Sequence, residues 1–305
     1  MFIQGDLVQR CCDHIFWNNA QPRMNCHFQG GDVVFCKIDE VLRFFEHIRL
    51  TRKRVILVTG EGDIPCDNFR QQFLPANVDY WFSTNVTQPH PKVVALPLGI
   101  GGLQDEVTLN ANSIVSAQEQ CSARDQWLYV NFRAQTNLKV RQPIYDHFQR
   151  RAKEESWITF ESPQEYLLNS HFLMELLRHQ FVLCPPGNGV DTHRIWETLV
   201  AGAYPVVLRS AAMEPFSELP LLLVNDFEEV TLDFLKENLN QLKEKKKNLF
   251  MMQMGFWEQK IKDAKFRLAG KKTLGWKEWF HESFSYGRSM LKRRCGNYSA
   301  NRLNS

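Results

Sequence analysis

The stretch that decides the fold is Phe181-Val-Leu-Cys-Pro-Pro-Gly-Asn-Gly-Val-Asp-Thr-His-Arg-Ile-Trp-Glu-Thr-Leu-Val-Ala-Gly-Ala-Tyr-Pro-Val-Val-Leu208. It opens with an apolar strand at 181–184 and passes through a Gly-rich loop into a helix over 191–201. Gly202 ends that helix, and a second apolar strand follows at 204–208. A strand, a helix and a strand in so short a span predict a compact βαβ unit with parallel strands.

The same alternation of apolar runs and helical periods extends over the chain on both sides of this unit. Before it, the sequence predicts strands at 32–36, 55–59, 80–83, 93–96, 127–131 and 157–160. Helices are predicted after Asp39, over 138–151, from the Ser162-Pro163-Gln164-Glu165 cap, and from about 236 onward. The pattern is typical of an α/β fold. A polar stretch at about 103–124 is predicted to link two domains, 1–115 and 125–240, with basic helices over 241–305 packing across them.

Length and composition are those of an ordinary globular protein. The chain has 305 residues, 44% hydrophobic and 23% charged, which predicts two domains. It contains no long apolar run of the kind that crosses a membrane, and its first residues do not resemble a secretory signal. We therefore expect a soluble, cytoplasmic protein, in which the Asn-x-Ser/Thr sites at Asn85 and Asn297 are chance matches.

Charge is distributed unevenly along the chain. Residues 241–305 contain 16 Lys and Arg against 5 Asp and Glu, a net +11, whereas the first 240 residues carry −8. Five aromatic residues lie in this basic segment: Phe256, Trp257, Trp276, Trp279 and Phe280. The favoured interpretation is a pair of solvated helices whose aromatic side chains pack inward. The alternative is a basic surface that contacts an anionic membrane peripherally, and no nucleic-acid partner is expected.

The eight cysteines are scattered and predict reduced thiols. One group has the residue types of a metal site: Cys11, Cys12, His14, Cys26 and His27. Their spacing matches no usual zinc pattern, so no metal is expected.

The Gly-rich loop and the helix after it have the chemistry of a phosphate site. Gly187 and Gly189 let the backbone approach a ligand closely, and a helix that starts near Asp191 presents free N–H groups. His193, Arg194 and Glu197 can share one side of that helix, so that Arg194 would hold a phosphate oxygen and Glu197 the ribose hydroxyls. The alternative is a plain turn followed by a helix with an internal ion pair. The loop is not a Walker loop, because it lacks the Gly-Lys-Ser/Thr ending, and it is not a dinucleotide fingerprint, because it lacks the third glycine.

The motifs Phe-x-Leu-Cys-Pro-x-Gly, Thr-x-Arg-x-Trp-Glu and Ala-Gly-x-x-Pro-Val-Val make this stretch similar to the exostosin-like glycosyltransferases of glycosyltransferase family 47. Residues 215–220 and 224–227 continue the resemblance. It implies a GT-B fold, two Rossmann-like domains facing a cleft, with an acceptor-side N-terminal domain and a nucleotide-sugar-binding C-terminal domain. It also implies an inverting, metal-independent hexosyl- or pentosyltransferase with a UDP-sugar donor, a glycan or glycoprotein acceptor and no cofactor. The donor residues implied are Gly187, Asn188, Gly189, Asp191, Thr192, His193, Arg194 and Glu197. The loop and helix after strand 127–131 add Arg133, Asn137 and Arg141 as candidate donor residues, because the fork of an arginine matches phosphate oxygens; the alternative is surface arginines paired with nearby acids.

Inverting transfer needs one general base, which is expected in the first domain. Glu61 and Asp63 are the leading candidates because they lie in a loop just after a buried strand, and Asp32, Asp67 and His90 remain open. Two other function classes compete with the enzyme. One is a non-catalytic nucleotide- or glycan-binding protein on the same scaffold, and the other is a nucleic-acid-binding protein that uses the basic C-terminal segment.

Overall fold

Two parallel sheets of five strands each form the centre of the protein. The computed structural model describes residues 1–16, 28–101, 109, 111–118, 124–162, 169–246 and 249–281. The N-terminal sheet has the order β1-β2-β3-β4-β5, in which every strand lies beside its neighbour in sequence. Its strands are β1 (His14–Phe16), β2 (Val33–Lys37), β3 (Val55–Gly60), β4 (Val78–Ser83) and β5 (Val93–Ala95).

The C-terminal sheet has the order β10-β9-β8-β6-β7. Its strands are β6 (Gln126–Val130), β7 (Ile158–Phe160), β8 (His179–Leu183), β9 (Tyr204–Leu208) and β10 (Leu222–Val224). Strand order therefore reverses between β6 and β8, which makes this sheet doubly wound. These two sheets confirm the predicted α/β fold class of GT-B type.

Helices cover the faces of both sheets. They are α1 (Gly5–Arg10), α2 (Val41–Arg49), α3 (Asn68–Gln71), α4 (Ala111–Gln118), α5 (Leu138–Arg151), α6 (Asn169–Arg178), α7 (His193–Val200), α8 (Leu232–Lys245) and α9 (Met254–Leu268). Among the described residues, none of the helices combines the length and the apolar character that a membrane span requires.

Apolar periodicity explains how these layers form. Strands β2 and β3 are buried along almost their whole length, as expected of parallel strands covered on both faces. On α2, Val41, Phe44 and Ile48 recur at helical spacing and are fully buried against one face of the N-terminal sheet. This is the helix predicted after Asp39.

A single cluster of buried side chains joins the N-terminal sheet and its helices to the C-terminal sheet and its helices, here called the N-terminal and C-terminal domains. It runs from Ile3 beside α1, through Val58 of β3, to Trp196 of α7 and Trp257 of α9. Helix α9 thus belongs to the C-terminal basic segment but packs against α1 and β3 of the first domain. Of the aromatic residues in that segment, Trp257 packs inward as predicted, whereas Trp276 and Phe280 are more than half exposed.

The elements that the sequence missed are short. Strands β1 and β10 contain three residues each and lie at sheet edges. The stretch predicted as a polar linker contains α4, whose Ile114 is fully buried and which packs against α6 and α7. The helix predicted to open at Ser162-Pro163 begins outside the described residues, which resume at 169 with α6.

Candidate active site

A cavity of about 500 Å³ opens between the two sheets, where the carboxyl ends of their strands face each other. This volume lies within the range of natural ligand sites. The N-terminal domain lines it with Gly5, Val8, Phe35, Thr59, Gly60, Glu61, Gly62, Asp63, Thr84, Leu96, Pro97, Leu98, Ile100 and Gly101. The C-terminal domain lines it with Thr136, Arg141, Gly187, Asn188, Gly189, Asp191, Thr192 and His193. The cavity therefore brings together most of the predicted donor residues and both leading base candidates.

The C-terminal wall of the cavity coincides with the point where strand order reverses. Strand β6 leads into the turn that contains Thr136, and β8 leads into residues 184–192, here called the donor loop. Because β6 and β8 are adjacent and their crossovers run in opposite directions, a crevice forms at their carboxyl ends. Ligands of doubly wound sheets bind in this crevice, so the topology and the motif independently favour the same place.

The start of α7 faces this cavity with unused hydrogen-bonding capacity. Thr192 occupies the N-cap position with an extended backbone, yet its hydroxyl does not cap the helix. The Thr192 Oγ1 atom is buried and has no hydrogen-bond partner among the described residues. A buried hydroxyl without a partner is costly, and the first N–H groups of a helix attract anions. The helix start therefore has the properties of an anion-binding site.

Arg141 braces the donor loop from behind. Its Nε and Nη2 atoms donate to the carbonyls of Pro186 and Pro185 at 2.8 and 2.9 Å, and Nη1 donates to the Arg133 carbonyl and the Thr136 hydroxyl. No described carboxylate forms an ion pair with this guanidinium, and burial lowers its pKa to about 10. Arg141 therefore remains cationic at neutral pH and places positive charge beneath the loop.

Asn137 and Arg141 share the task of bracing the donor loop. The Asn137 Nδ2 atom donates to the Gly187 carbonyl at 2.9 Å. A Cβ atom on Gly187 would lie 3.0 Å from the Arg141 Nη2 atom, so glycine lets the loop rest directly on the guanidinium. In this structure both predicted donor residues support the loop through their side chains.

Two residues at the start of α7 connect it to the opposite domain. The Asp191 carboxylate accepts from the Leu98 backbone N–H and from Trp196 Nε1, both at 2.7 Å. Burial raises the pKa of Asp191 to about 7, although these hydrogen bonds act in the opposite direction. His193 Nδ1 lies 2.8 Å from the Gly99 carbonyl, which can only accept, so Nδ1 carries a proton.

The opposite wall of the cavity carries the two carboxylates predicted as base candidates. Glu61 has a left-handed backbone (φ 57°), uncommon for a residue with a side chain, and accepts from Gln9 Nε2 at 3.2 Å. Asp63 accepts from Asn188 Nδ2 of the donor loop at 3.2 Å. Both carboxylates are exposed to the cavity, and the Asp63 contact joins the two domains.

Four predicted donor residues do not line the cavity: Asn137, whose contact with the donor loop is given above, Arg133, Arg194 and Glu197. Arg133 is exposed to solvent, and its backbone carbonyl accepts from Arg141 Nη1. The Arg194 guanidinium lies over the Phe172 ring at 4.7 Å, and its Nη1 atom is buried without a described hydrogen-bond partner.

Glu197 differs most from its predicted place. It is 5% exposed, and its carboxylate accepts from the Leu109 backbone N–H at 2.8 Å. Contrary to the prediction, His193, Arg194 and Glu197 therefore do not face the cavity together; of the three, only His193 lines it. Helical spacing predicted that the three side chains are neighbours, but α4 packs against α7 and the Leu109 N–H binds the Glu197 carboxylate.

The other base candidates lie away from the cavity lining. Asp32 pairs with His14 at 2.7 Å, and Asp67 caps α3 by accepting from the Arg70 N–H. His90 Nδ1 accepts from the Lys92 N–H, and burial together with the Lys92 charge lowers its pKa. The structure therefore leaves Glu61 and Asp63 as the candidates that reach the cavity.

The cysteine group singled out in the sequence is only partly described, because Cys26 and His27 lie outside the described residues. Cys11 and Cys12 donate to the carbonyls of Leu7 and Val8, one helical turn earlier. Burial raises the pKa of both thiols.

Sequence reasoning missed Asn85 as a residue of the site. It follows β4, and its side chain is 3% exposed between the two domains. Its Oδ1 atom accepts from the Asp191 N–H at 2.8 Å. A buried, bonded amide is not accessible for glycosylation in the folded protein, in agreement with the expectation that the sequon is a chance match. The only signal in the sequence was an Asn shortly after a buried strand. Asn is common at such positions because it favours turns, so this signal does not identify a functional residue.

No family model and no curated protein matches the sequence, so membership in the exostosin-like family stays a prediction. Several solved structures are similar in shape. The UDP-forming α,α-trehalose-phosphate synthase from Burkholderia vietnamiensis is 11% identical with a TM-score of 0.49, covering 81% of this chain and 77% of that one. The pneumococcal O-GlcNAc transferase GtfA, in complex with UDP and GlcNAc, is 11% identical with a TM-score of 0.33, covering 88% and 58%. The UDP-GlcNAc 2-epimerase from Methanocaldococcus jannaschii is 13% identical with a TM-score of 0.33, covering 76% of each chain. Such values are too low to transfer activity, and the fold assignment depends on the two sheets themselves.

Proposed function

We propose that this protein is a glycosyltransferase that moves a sugar from a UDP-sugar to a hydroxyl of a glycan or glycoprotein acceptor, with inversion and without a metal ion. One observation carries the proposal: a single cavity places the start of α7 opposite two carboxylates from the other domain. Inverting transfer from a nucleotide-sugar requires these two chemistries on opposite sides of the sugar. One stabilises a leaving diphosphate, and the other removes a proton from the acceptor.

The donor side supplies positive charge from protein groups alone. The start of α7 contributes the equivalent of about half a positive charge together with free N–H groups. Thr192 adds a buried hydroxyl without a described partner, and Arg141 adds a fixed guanidinium behind the loop. A diphosphate bound here would receive hydrogen bonds from the loop and the Thr192 hydroxyl. In this proposal Arg194 turns from Phe172 toward a phosphate oxygen.

On the acceptor side, Asp63 is the proposed base. Its carboxylate is exposed to the cavity and is oriented by Asn188 of the donor loop, which brings it close to the donor. The acceptor oxygen attacks the anomeric carbon while the bond from that carbon to the diphosphate oxygen breaks. The acceptor proton goes to Asp63, and UDP leaves with the bonding electron pair. Attack from the face opposite the diphosphate inverts the configuration.

Glu61 is the second candidate for the base. Its left-handed backbone orients its side chain toward Gln9, and backbone strain of this kind often accompanies a functional position. Glu197 takes the ribose hydroxyls only if it exchanges its bond with the Leu109 N–H, so its proposed role depends on donor binding.

The decisive experiment measures UDP binding and turnover separately. A panel of UDP-sugars is screened by saturation-transfer NMR, UDP affinity is measured by calorimetry, and UDP release is followed with each sugar that binds. Thr192→Val, which keeps the shape of the side chain, should weaken UDP binding, and Asp63→Asn should abolish transfer with little effect on UDP binding. Activity should persist in EDTA, and a strict Mn²⁺ requirement would contradict the metal-independent mechanism.

Two other outcomes would count against the proposed enzyme. Tight UDP binding without turnover on any acceptor would indicate the non-catalytic binder. No binding of any nucleotide or UDP-sugar would overturn the donor site as a whole.

A further inference from the structure

Asn85 occupies an unusual backbone position where the N-terminal domain meets the donor loop. It lies two residues after the end of β4 and has a left-handed conformation with φ 52°. Among the described residues other than glycine, Glu61 is the only other one with a positive φ. Asn is one of the few residues with a side chain that adopt this region readily, because its short amide bonds locally. The conformation turns the Asn85 side chain into the interface between the domains.

The Asn85 amide contacts both loops that the proposed reaction requires. Its Oδ1 atom accepts from the Asp191 N–H at 2.8 Å, in the donor loop. Its Nδ2 atom lies 3.5 Å from the Gly62 carbonyl, between the two candidate base residues. A Cβ atom on Gly189 would lie 2.8 Å from Oδ1 and 3.0 Å from Nδ2. Glycine at 189 therefore lets the donor loop rest on this amide.

We propose that Asn85 is a positioning residue that fixes the donor loop against the loop of residues 60–63, and so sets the separation between donor and base. The catalytic part of this inference rests on the proposed function, whereas the structural part does not. An amide suits the position because it offers an acceptor to Asp191 and a donor to Gly62 at once. An aspartate would lose the donor and would place a second carboxylate next to buried Asp191.

The expected consequence is a loss of turnover with little loss of donor affinity. The donor loop, which would contact UDP, keeps its bonds with Asn137 and Arg141 when Asn85 is changed, so UDP affinity should change by less than about threefold. The base lies on the loop that Asn85 holds, and a displacement of about 1 Å can cost on the order of 100-fold in rate. We therefore expect kcat to fall by about 10- to 100-fold.

Two variants test this inference from opposite sides of the contact. Asn85→Gly keeps the left-handed backbone without strain and removes only the amide. Gly189→Ala leaves Asn85 intact but places a methyl group against its amide. Because Gly189 belongs to the donor loop itself, unchanged UDP affinity is expected only of Asn85→Gly. The matched control is Asn77→Ala, since Asn77 is equally buried in the same domain but donates to carbonyls of Ile48, Thr51 and Lys53 away from the cavity. All three should lose stability, which thermal unfolding measures.

The readouts are hydrogen exchange by mass spectrometry, UDP affinity by calorimetry, and kcat for UDP release. In both test variants, amide exchange in 60–63 and at Asp191 should rise by about threefold to tenfold, the effect of one lost hydrogen bond, and kcat should fall. The control should show neither change. Unchanged exchange in these two loops, or faster exchange with unchanged kcat, would overturn the inference. If the wild-type protein neither binds UDP nor releases it from any donor, the proposed function fails, and the exchange data alone decide whether Asn85 holds the loops.

Discussion

Replacing Asp191 by Asn is expected to change how the stability of the protein depends on pH. The Asp191 carboxylate is 3% exposed, between the start of α7 and the Leu98 backbone. Burial raises its pKa to about 7, and the hydrogen bonds from Leu98 N–H, Trp196 Nε1 and Thr192 N–H, together with His193, offset only part of that rise. The folded protein therefore holds a proton on this group that the unfolded chain releases at a much lower pH.

The sign and size of the effect follow from linkage between protonation and folding. Because the pKa is higher in the folded state, the proton stabilises the fold below the unfolded pKa, and this stabilisation is lost as the pH rises toward the folded value. Against an ordinary value of 3.8, a folded pKa of about 7 corresponds to about 4 kcal/mol over the whole range. Between pH 5 and pH 8 the expected part is about 2–3 kcal/mol. Asp191→Asn removes this dependence because an amide does not titrate.

The assay is urea unfolding of both proteins at pH 5 and pH 8. Wild-type protein should lose about 2–3 kcal/mol more than Asp191→Asn between the two pH values, whatever the variant costs at either one. Comparing the two proteins cancels the contributions of all other titrating groups. Asp233→Asn controls for the loss of one charge, because the Asp233 side chain is 88% exposed. Parallel pH dependences for wild type and Asp191→Asn would refute the reasoning.

Three further predictions test the donor side and the basic segment. Arg194→Ala should weaken UDP binding by about 1.5–3 kcal/mol, the range for a lost charged hydrogen bond, and an unchanged calorimetric affinity would show that Arg194 only packs on Phe172. Arg141→Met should lower the free energy of unfolding by about 2–4 kcal/mol, because the carbonyls of Pro185, Pro186 and Arg133 lose their donor. Urea unfolding measures this loss, and Arg141→Lys should recover part of it. Trp276→Ala should reduce cosedimentation with phosphatidylserine vesicles but not with neutral ones, because Trp276 is 61% exposed and lies close in sequence to the exposed Lys271, Lys272 and Lys277. Equal sedimentation of variant and wild type would count against a membrane contact.

Sequence alone predicted the parallel strands and the donor loop because their evidence is local. The run 204–208 and helix α5 begin and end where the apolar pattern predicts. The short edge strands β1 and β10 carry too few residues for a periodic pattern, and their pairing depends on neighbours distant in sequence.

In the candidate site, too, the features set by neighbouring residues were predicted, and those set by contacts between residues far apart in sequence were not. The Gly-rich loop predicted that residues 187–193 face a ligand, and most of them line the cavity. Helical spacing also placed Glu197 beside His193, but spacing contains no information on which neighbour covers each side of a helix. The bond from Leu109 to Glu197 spans 88 residues, and that from Asp191 to Asn85 spans 106. Such contacts exist only after the two domains have packed.

The charge of Asp191 bears directly on the proposed donor site. An ionised carboxylate next to the first turn of α7 would cancel part of the positive potential that attracts a diphosphate. A bound UDP should in turn raise the pKa of Asp191 further, because two negative groups disfavour each other's charge. Near neutral pH, binding should therefore be accompanied by proton uptake, and affinity should fall as the pH rises above 7. Calorimetry of UDP binding in buffers with different ionisation enthalpies measures that proton directly. Asp191→Asn should abolish the uptake if Asp191 is its source, and uptake that persists in the variant would assign it to another group.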